Sequence, residues 1–415
     1  MPTRSLRRAP ALLLPLLLAV GPLAGCGIDE ADLARWKEVR EGQERLSGYL
    51  ASPDRPLGLR VRAARYLFEI NAGGQIVVVL RDAAAEDRQA VLEPFLVHLG
   101  KQFTAAAPEE QARAKDMLYA LLPLLGGVSA EFADGVVKQF ADWAVVQLFA
   151  EQPPAGRPVD QVLIAAGLTR PAATVEPLVT ALSAEREPAR VQRLSGLVDA
   201  IGDVPGRLKA ASALLTQARR ALPNPPEPLL QAIAANGNET LLRFLLDAAR
   251  DPEVPLLLRA QCVDLAVGRL GKGAIPGLEE ILKAEDPVTQ NAMREPAMVQ
   301  LYRLRGPKKL TEMMAALPDG TGWPDEGNAF REQVDKFCME AIAPQKAKAR
   351  KDLLETIGSE NRTARIFAAY CISRLYPDEV GELLAPLKDD KTPLRGFGRE
   401  PPPTQGDRAR GKLGD

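Results

Sequence analysis

A single histidine, His98, stands in a chain of 415 residues. Hydrolysis of the Ser-His-Asp kind would have to use that imidazole, yet no G-x-S-x-G turn and no recognisable nucleophile or carboxylate partner accompanies it. Val91, Phe95 and Leu99 flank it at helical spacing, so a packed helix residue is expected. Cysteine is nearly as scarce: Cys26, Cys262, Cys338 and Cys371 are too far apart for a zinc site, and no metal or other cofactor is expected. Charge of one sign is also lacking, with 53 basic against 54 acidic residues and a net charge of −1, which removes the electrostatic case for nucleic acid as a partner. Aromatic residues make up 5% of the chain, too few for an aromatic-rich sheet sandwich, whereas Ala, Leu and charged residues at helix-compatible spacing are plentiful.

The first residues carry Arg4, Arg7 and Arg8, then an apolar stretch from Ala11 to Val20, and no acidic residue before Asp29. That order is the order of an export signal. The stretch is about ten residues long and holds Pro15, short of the roughly twenty needed to cross a bilayer as a helix. It ends in Leu23-Ala24-Gly25-Cys26, which resembles the lipobox of bacterial lipoproteins. The resemblance implies cleavage after residue 25, lipidation of the Cys26 thiol and durable tethering by two or three acyl chains. Gly27 follows where lipoproteins kept in the inner membrane resemble one another in having Asp, so an outer-membrane address in the bacterial envelope is favoured over an inner one.

Beyond the signal, apolar periodicity organises the chain. Leu256, Ala260, Val263, Ala266, Val267 and Leu270 form one helix face, bounded by Asp251-Pro252 and Gly271, and Asp286-Pro287 restarts the pattern 35 residues after Pro252. A proline followed at seven positions by arginine, and at ten by a small residue, marks the register in three places: Pro53, Arg60, Ala63; Pro252, Arg259, Cys262; Pro287, Arg294, Ala297. Arg331 and Arg365 continue at spacings of 37 and 34 residues. Such a period marks stacked helix pairs. The pattern resembles the HEAT-repeat (armadillo-like) family, which implies an all-α helical-repeat solenoid, a superhelix of antiparallel helix pairs, and carries no catalytic residues. The array is expected over 53–390, with 85–150 degenerate or divergent, after a lipidated N-terminus and first helix at 26–52. Proline-rich breaks fall at 152–158, 223–228 and 318–328. The Pro, Gly and Arg-rich tail at 391–415 is expected to be disordered. The arginine stripe is expected to be structural, laddering to carboxylates such as the Asp of the preceding turn.

Several local features have plain readings. Cys262, Cys338 and Cys371 are expected as buried thiols, with a Cys338–Cys371 bridge the alternative. Gly271-Lys272-Gly273-Ala274-Ile275-Pro276-Gly277 has neither Walker nor dinucleotide spacing and reads as a turn between helices. Asn238 and Asn361 stand where helices begin and read as caps. Two features are candidates for partner binding: the basic run Lys346, Lys348, Arg350, Lys351, and Trp323 on a Gly/Pro loop. The expectation is a non-enzymatic scaffold that docks a protein partner on the envelope. The alternatives are an accessory or catalytic subunit of an envelope enzyme, since some bacterial HEAT-like chains resemble chromophore lyases, and a lipoprotein that binds a glycan or other ligand.

Overall fold

The computed structural model describes residues 28–283, 287–306, 310–315, 335–393 and 404–410. Cys26 with Leu23, Ala24 and Gly25, and also Trp323 and Arg331, lie outside the described residues. The fold is all-α, a helical-repeat, solenoid-like arrangement. Among the described residues there is no strand, only one isolated bridge between Pro393 and Thr404. The chain divides into two compact units, Met1–His98 and Leu99–Asp415. The boundary falls inside the stretch 85–150, where the arginine register is loose.

The first unit contains α1 (Glu30–Trp36), α2 (Gly42–Leu50), α3 (Leu57–Glu69), α4 (Gly73–Asp82) and the first part of α5 (Ala85–Ala105). Helix α1 starts at a capping box in which the Asp29 and Asp32 side chains each accept from the other's backbone N–H. Leu46, Leu50, Leu67, Ile76 and Leu80 form the buried seam. Arg60 of α3 is buried beneath it: its Nε donates to the carbonyl of Leu50 at 3.0 Å, and its two terminal nitrogens grip Asp87 of α5 at 2.5 and 2.7 Å. The ladder thus runs forward to Asp87, not back to the Asp of the preceding turn, because the guanidinium points at α5, two helices further along. This pairing holds the Asp87 carboxyl below its ordinary value. His98 packs edge-on to Phe68 at 6.2 Å and beside Phe95 at 6.3 Å, the packed position expected for it.

The second unit continues with α6 (Pro108–Leu121), α7 (Ala130–Gln147), α8 (Val159–Thr169), α9 (Pro171–Ala184), α10 (Pro188–Ile201), α11 (Val204–Ala221), α12 (Glu227–Asn236), α13 (Glu239–Arg250), α14 (Leu256–Leu270), α15 (Ile275–Lys283), α16 (Pro287–Arg305) and α17 (Leu310–Ala315). Most of these helices pack on a chain neighbour and on the helix two further along. Helices α6, α8, α10, α12, α14 and α16 form one row, and α7, α9, α11, α13 and α15 the other. Within the stretch 85–150, α6 and α7 join these two rows despite the weak register. Leu122–Gly127 and Gly271–Ala274 are short 3-10 turns, the second being the first four residues of the glycine-rich segment, whose Ile275, Pro276 and Gly277 already belong to α15. Small residues set the row spacing: a Cβ on Gly206 would lie 2.2 Å from Val175, and one on Gly277 would lie 2.7 Å from Leu246. The register residues Ala63, Cys262 and Ala297 are fully buried for the same reason. Arg259 and Arg294 are buried as well, and Arg259 Nε donates to the Ala249 carbonyl at 2.8 Å, ten residues back like Arg60 to Leu50.

After a π-helical turn at Phe337–Ile342 come α18 (Lys346–Thr356) and α19 (Arg362–Leu375). Two expectations are corrected here. Cys338 and Cys371 are not free thiols: they form a disulfide with Cα atoms 5.5 Å apart, because the π-turn and α19 present them to each other across a packed face. Cys262 alone stays a buried thiol, and burial pushes it up to about 12. The tail is not wholly unstructured, since α20 (Gln405–Ala409) is docked. Gly406 donates to the Asp390 carbonyl at 2.9 Å, and the Arg408 guanidinium lies 5.4 Å from the Tyr370 ring centre. Composition misses this segment because backbone and cation–π contacts hold it rather than apolar side chains.

Two measurements test these contacts. Replacing Arg60 with Met strands Asp87 and the Leu50 carbonyl and is expected to cost about 2–4 kcal/mol in denaturant unfolding of the full chain. The part owed to Asp87 is present above about pH 4, the ordinary carboxylate range, and is lost as pH falls through its lowered folded value. The Cys338–Cys371 bridge closes a 33-residue separation. Its double replacement by Ala should cost about 3–4 kcal/mol, and reductant should have no further effect on that variant.

Candidate interaction surface

Where α10 begins, α11 ends and α12 begins, the second unit has an open cleft of about 310 Å³. Its apolar floor is Pro188 and Val191 from α10, Ala221 from α11, and Pro226 and Leu229 at the start of α12. Arg186 and Arg220 stand at the rim, both exposed. Gln217 also lines the cleft, but its amide is committed to the Leu182 carbonyl at 2.5 Å. Glu185 is the one carboxylate of the lining. Backbone N–H groups of Arg186 and Glu187 donate to it at 2.8 and 3.0 Å, and these, with Arg190 nearby, lower its pKa. Its charge is therefore already compensated.

One polar cluster lies deeper in the same stack. Asp199 of α10 meets Arg207 of α11 at 3.4 Å and the Asn236 amide at 3.4 Å, while Arg207 donates to the Asn236 carbonyl at 2.7 Å. Burial raises the Asp199 pKa and outweighs the opposing pull of Arg207. Asp199 Oδ2, Asn236 Oδ1 and, one turn before Asp199, Ser195 Oγ are buried without a hydrogen-bond partner among the described residues. The cluster is an internal strut with spare acceptors. No group of three or more His, Cys, Asp and Glu residues is placed to hold a metal among the described residues.

The basic run of α18 separates into two parts. Arg350 is ion-paired with Glu379 and stacks 5.4 Å from the Tyr376 ring centre, and Lys346 lies 5.9 Å from the same ring, whose hydroxyl donates to the Lys346 carbonyl. Lys348 and Lys351 are exposed. Half the run thus fastens α18 to the segment after α19. Asn238 and Asn361 cap their helices through Thr240 and Ala364 N–H at 3.0 and 2.8 Å. The cleft and the Asp199 cluster were not singled out in sequence. The only signal was Pro223-Asn224-Pro225-Pro226-Glu227-Pro228, read there simply as a break.

No family model and no curated protein matches the chain. Among solved structures, the chain is similar to an engineered protein whose crystal structure aligns with 92% of this chain and 98% of its own at 15% identity, with a TM-score of 0.25. That degree of likeness carries no inference about this chain. No helix among the described residues is long and apolar enough to cross a membrane.

The raised Asp199 pKa gives a signed prediction. A carboxyl whose folded value lies above its unfolded one favours folding at low pH and loses that contribution as pH rises. Asp199→Asn should therefore be at least as stable as the parent at pH 7, within about 1 kcal/mol, with the difference closing toward pH 4. Thermal unfolding at the two pH values checks this.

Proposed function

We propose that this chain is a lipid-anchored, non-enzymatic interaction scaffold related to HEAT-repeat proteins, held on the bacterial envelope through Cys26 and docking a protein partner. The observation that carries the reading is the lipobox-like Leu23-Ala24-Gly25-Cys26 ahead of a two-row helix stack. A stack of this kind has few constraints on its outer faces, because stability comes from interfaces between neighbouring helices. The Cys338–Cys371 disulfide is in keeping with an oxidising compartment outside the cytoplasm. The outer membrane is the favoured address, from Gly27 after the cysteine. Membrane contact is through the acyl chains, and nucleic acid is not a partner in this reading.

A ligand-binding lipoprotein is the second reading, favoured by the cleft volume, which lies at the lower limit of small-molecule sites. The enzyme-subunit reading has less support, since Glu185 is the lone carboxylate lining the cleft among the described residues.

Labelling cells of the native host with radioactive palmitate tests the tether. The chain should take up label and stay with membranes through a high-salt wash, whereas Cys26→Ser should lose both properties. A Cys26→Ser chain that remained membrane-bound would refute the anchor. Crosslinking in the same cells should recover one abundant envelope protein; turnover of a small molecule by purified protein, with no crosslinked protein, would refute the scaffold.

A further inference from the structure

We propose that the cleft between α10, α11 and α12 receives an acidic–apolar segment of the protein partner: one large apolar side chain on its floor and flanking carboxylates on Arg186 and Arg220. This deepens the scaffold reading and rests on it. Charge complementarity names the occupant. Arg186 and Arg220 are both exposed, and neither side chain forms an ion pair among the described residues. The single acid of the lining, Glu185, is occupied by two backbone N–H groups and lies near Arg190, so the rim is left net positive.

The cleft sits at the first turns of both α10 and α12, whose N-cap residues, Glu187 and Pro226, give no side-chain cap. Because α11 ends at the same cleft and Glu227 stands in the first turn of α12, these helix starts add little net field, and the case for an anion rests on Arg186 and Arg220. The floor itself, Val191 and Leu229 with prolines around them, offers no polar anchor. Size and openness choose between occupants. A small ligand is held by burying most of its surface, which an open cleft of about 310 Å³ does poorly, whereas one side chain of a peptide fits and the rest of the segment lies across the rim.

The test uses the full chain and fluorescein-labelled hexapeptides read by anisotropy. Glu-Glu-Leu-Phe-Glu-Glu should bind saturably, and the Gln-Gln-Leu-Phe-Gln-Gln form should bind about tenfold more weakly, as expected for two rim ion pairs. The double variant Arg186→Glu/Arg220→Glu, with both changes on exposed positions, should reverse the preference toward Lys-Lys-Leu-Phe-Lys-Lys. Ala221→Trp should fill the cleft and abolish binding while circular dichroism and melting stay those of the parent. The proposal is overturned if a hexaglutamate without Leu-Phe binds equally well, if the charge-reversed variant keeps the parent's preference, or if decanoate binds with the same arginine dependence and the peptides do not. Undiminished crosslinking of the cellular partner to the charge-reversed chain would also overturn it, yet would leave the scaffold reading standing.

Discussion

The last carbonyls of an α-helix have no partner within the helix, and buried in a stack they must find one elsewhere. At several helix ends this chain meets that constraint with guanidinium groups. Arg60 reaches the Leu50 carbonyl, Arg259 that of Ala249, Arg170 that of Leu125, Arg193 that of Leu148 and Arg207 that of Asn236. A cation there also lies at the negative end of the helix dipole. Because the arginine comes from another helix, each such bond joins two elements as well as satisfying one. Lysine would serve less well, since a guanidinium can bind a carbonyl with one nitrogen and a carboxylate with others, as Arg60 does with Leu50 and Asp87.

With the helix ends tied in this way, close approach of the rows is left to small residues. Gly206 against Val175 and Gly277 against Leu246 leave no room for a methyl group, so the same-row helices meet nearly backbone to side chain. The cleft opens beside the proline-rich link between α11 and α12, Pro223 to Pro228. Its apolar floor lies beside two arginines that form no ion pair among the described residues.

Much of the helical architecture was readable in sequence from particular residues. The Pro-Arg-small register at 53–63, 252–262 and 287–297 corresponds to buried arginines and wholly buried small residues. Asn238 and Asn361 cap helices as their positions imply. Other features were hidden. The partner of Arg60 is Asp87, 27 residues on, and no local rule selects it. Docking of 404–410 rests on a glycine backbone contact and an arginine over Tyr370, neither of which registers as hydrophobicity. The cleft was invisible because its two arginines lie 34 positions apart, on different helices.

By itself, then, the order of residues determined helix type, repeat register and helix starts, because periodicity, caps and proline act over a few neighbours. Only the tertiary structure decided which carbonyl each arginine reaches, that Cys338 meets Cys371, and that Arg186 and Arg220 share one rim. Those outcomes depend on the distance between residues far apart in the chain, which is set by how closely neighbouring helices pack.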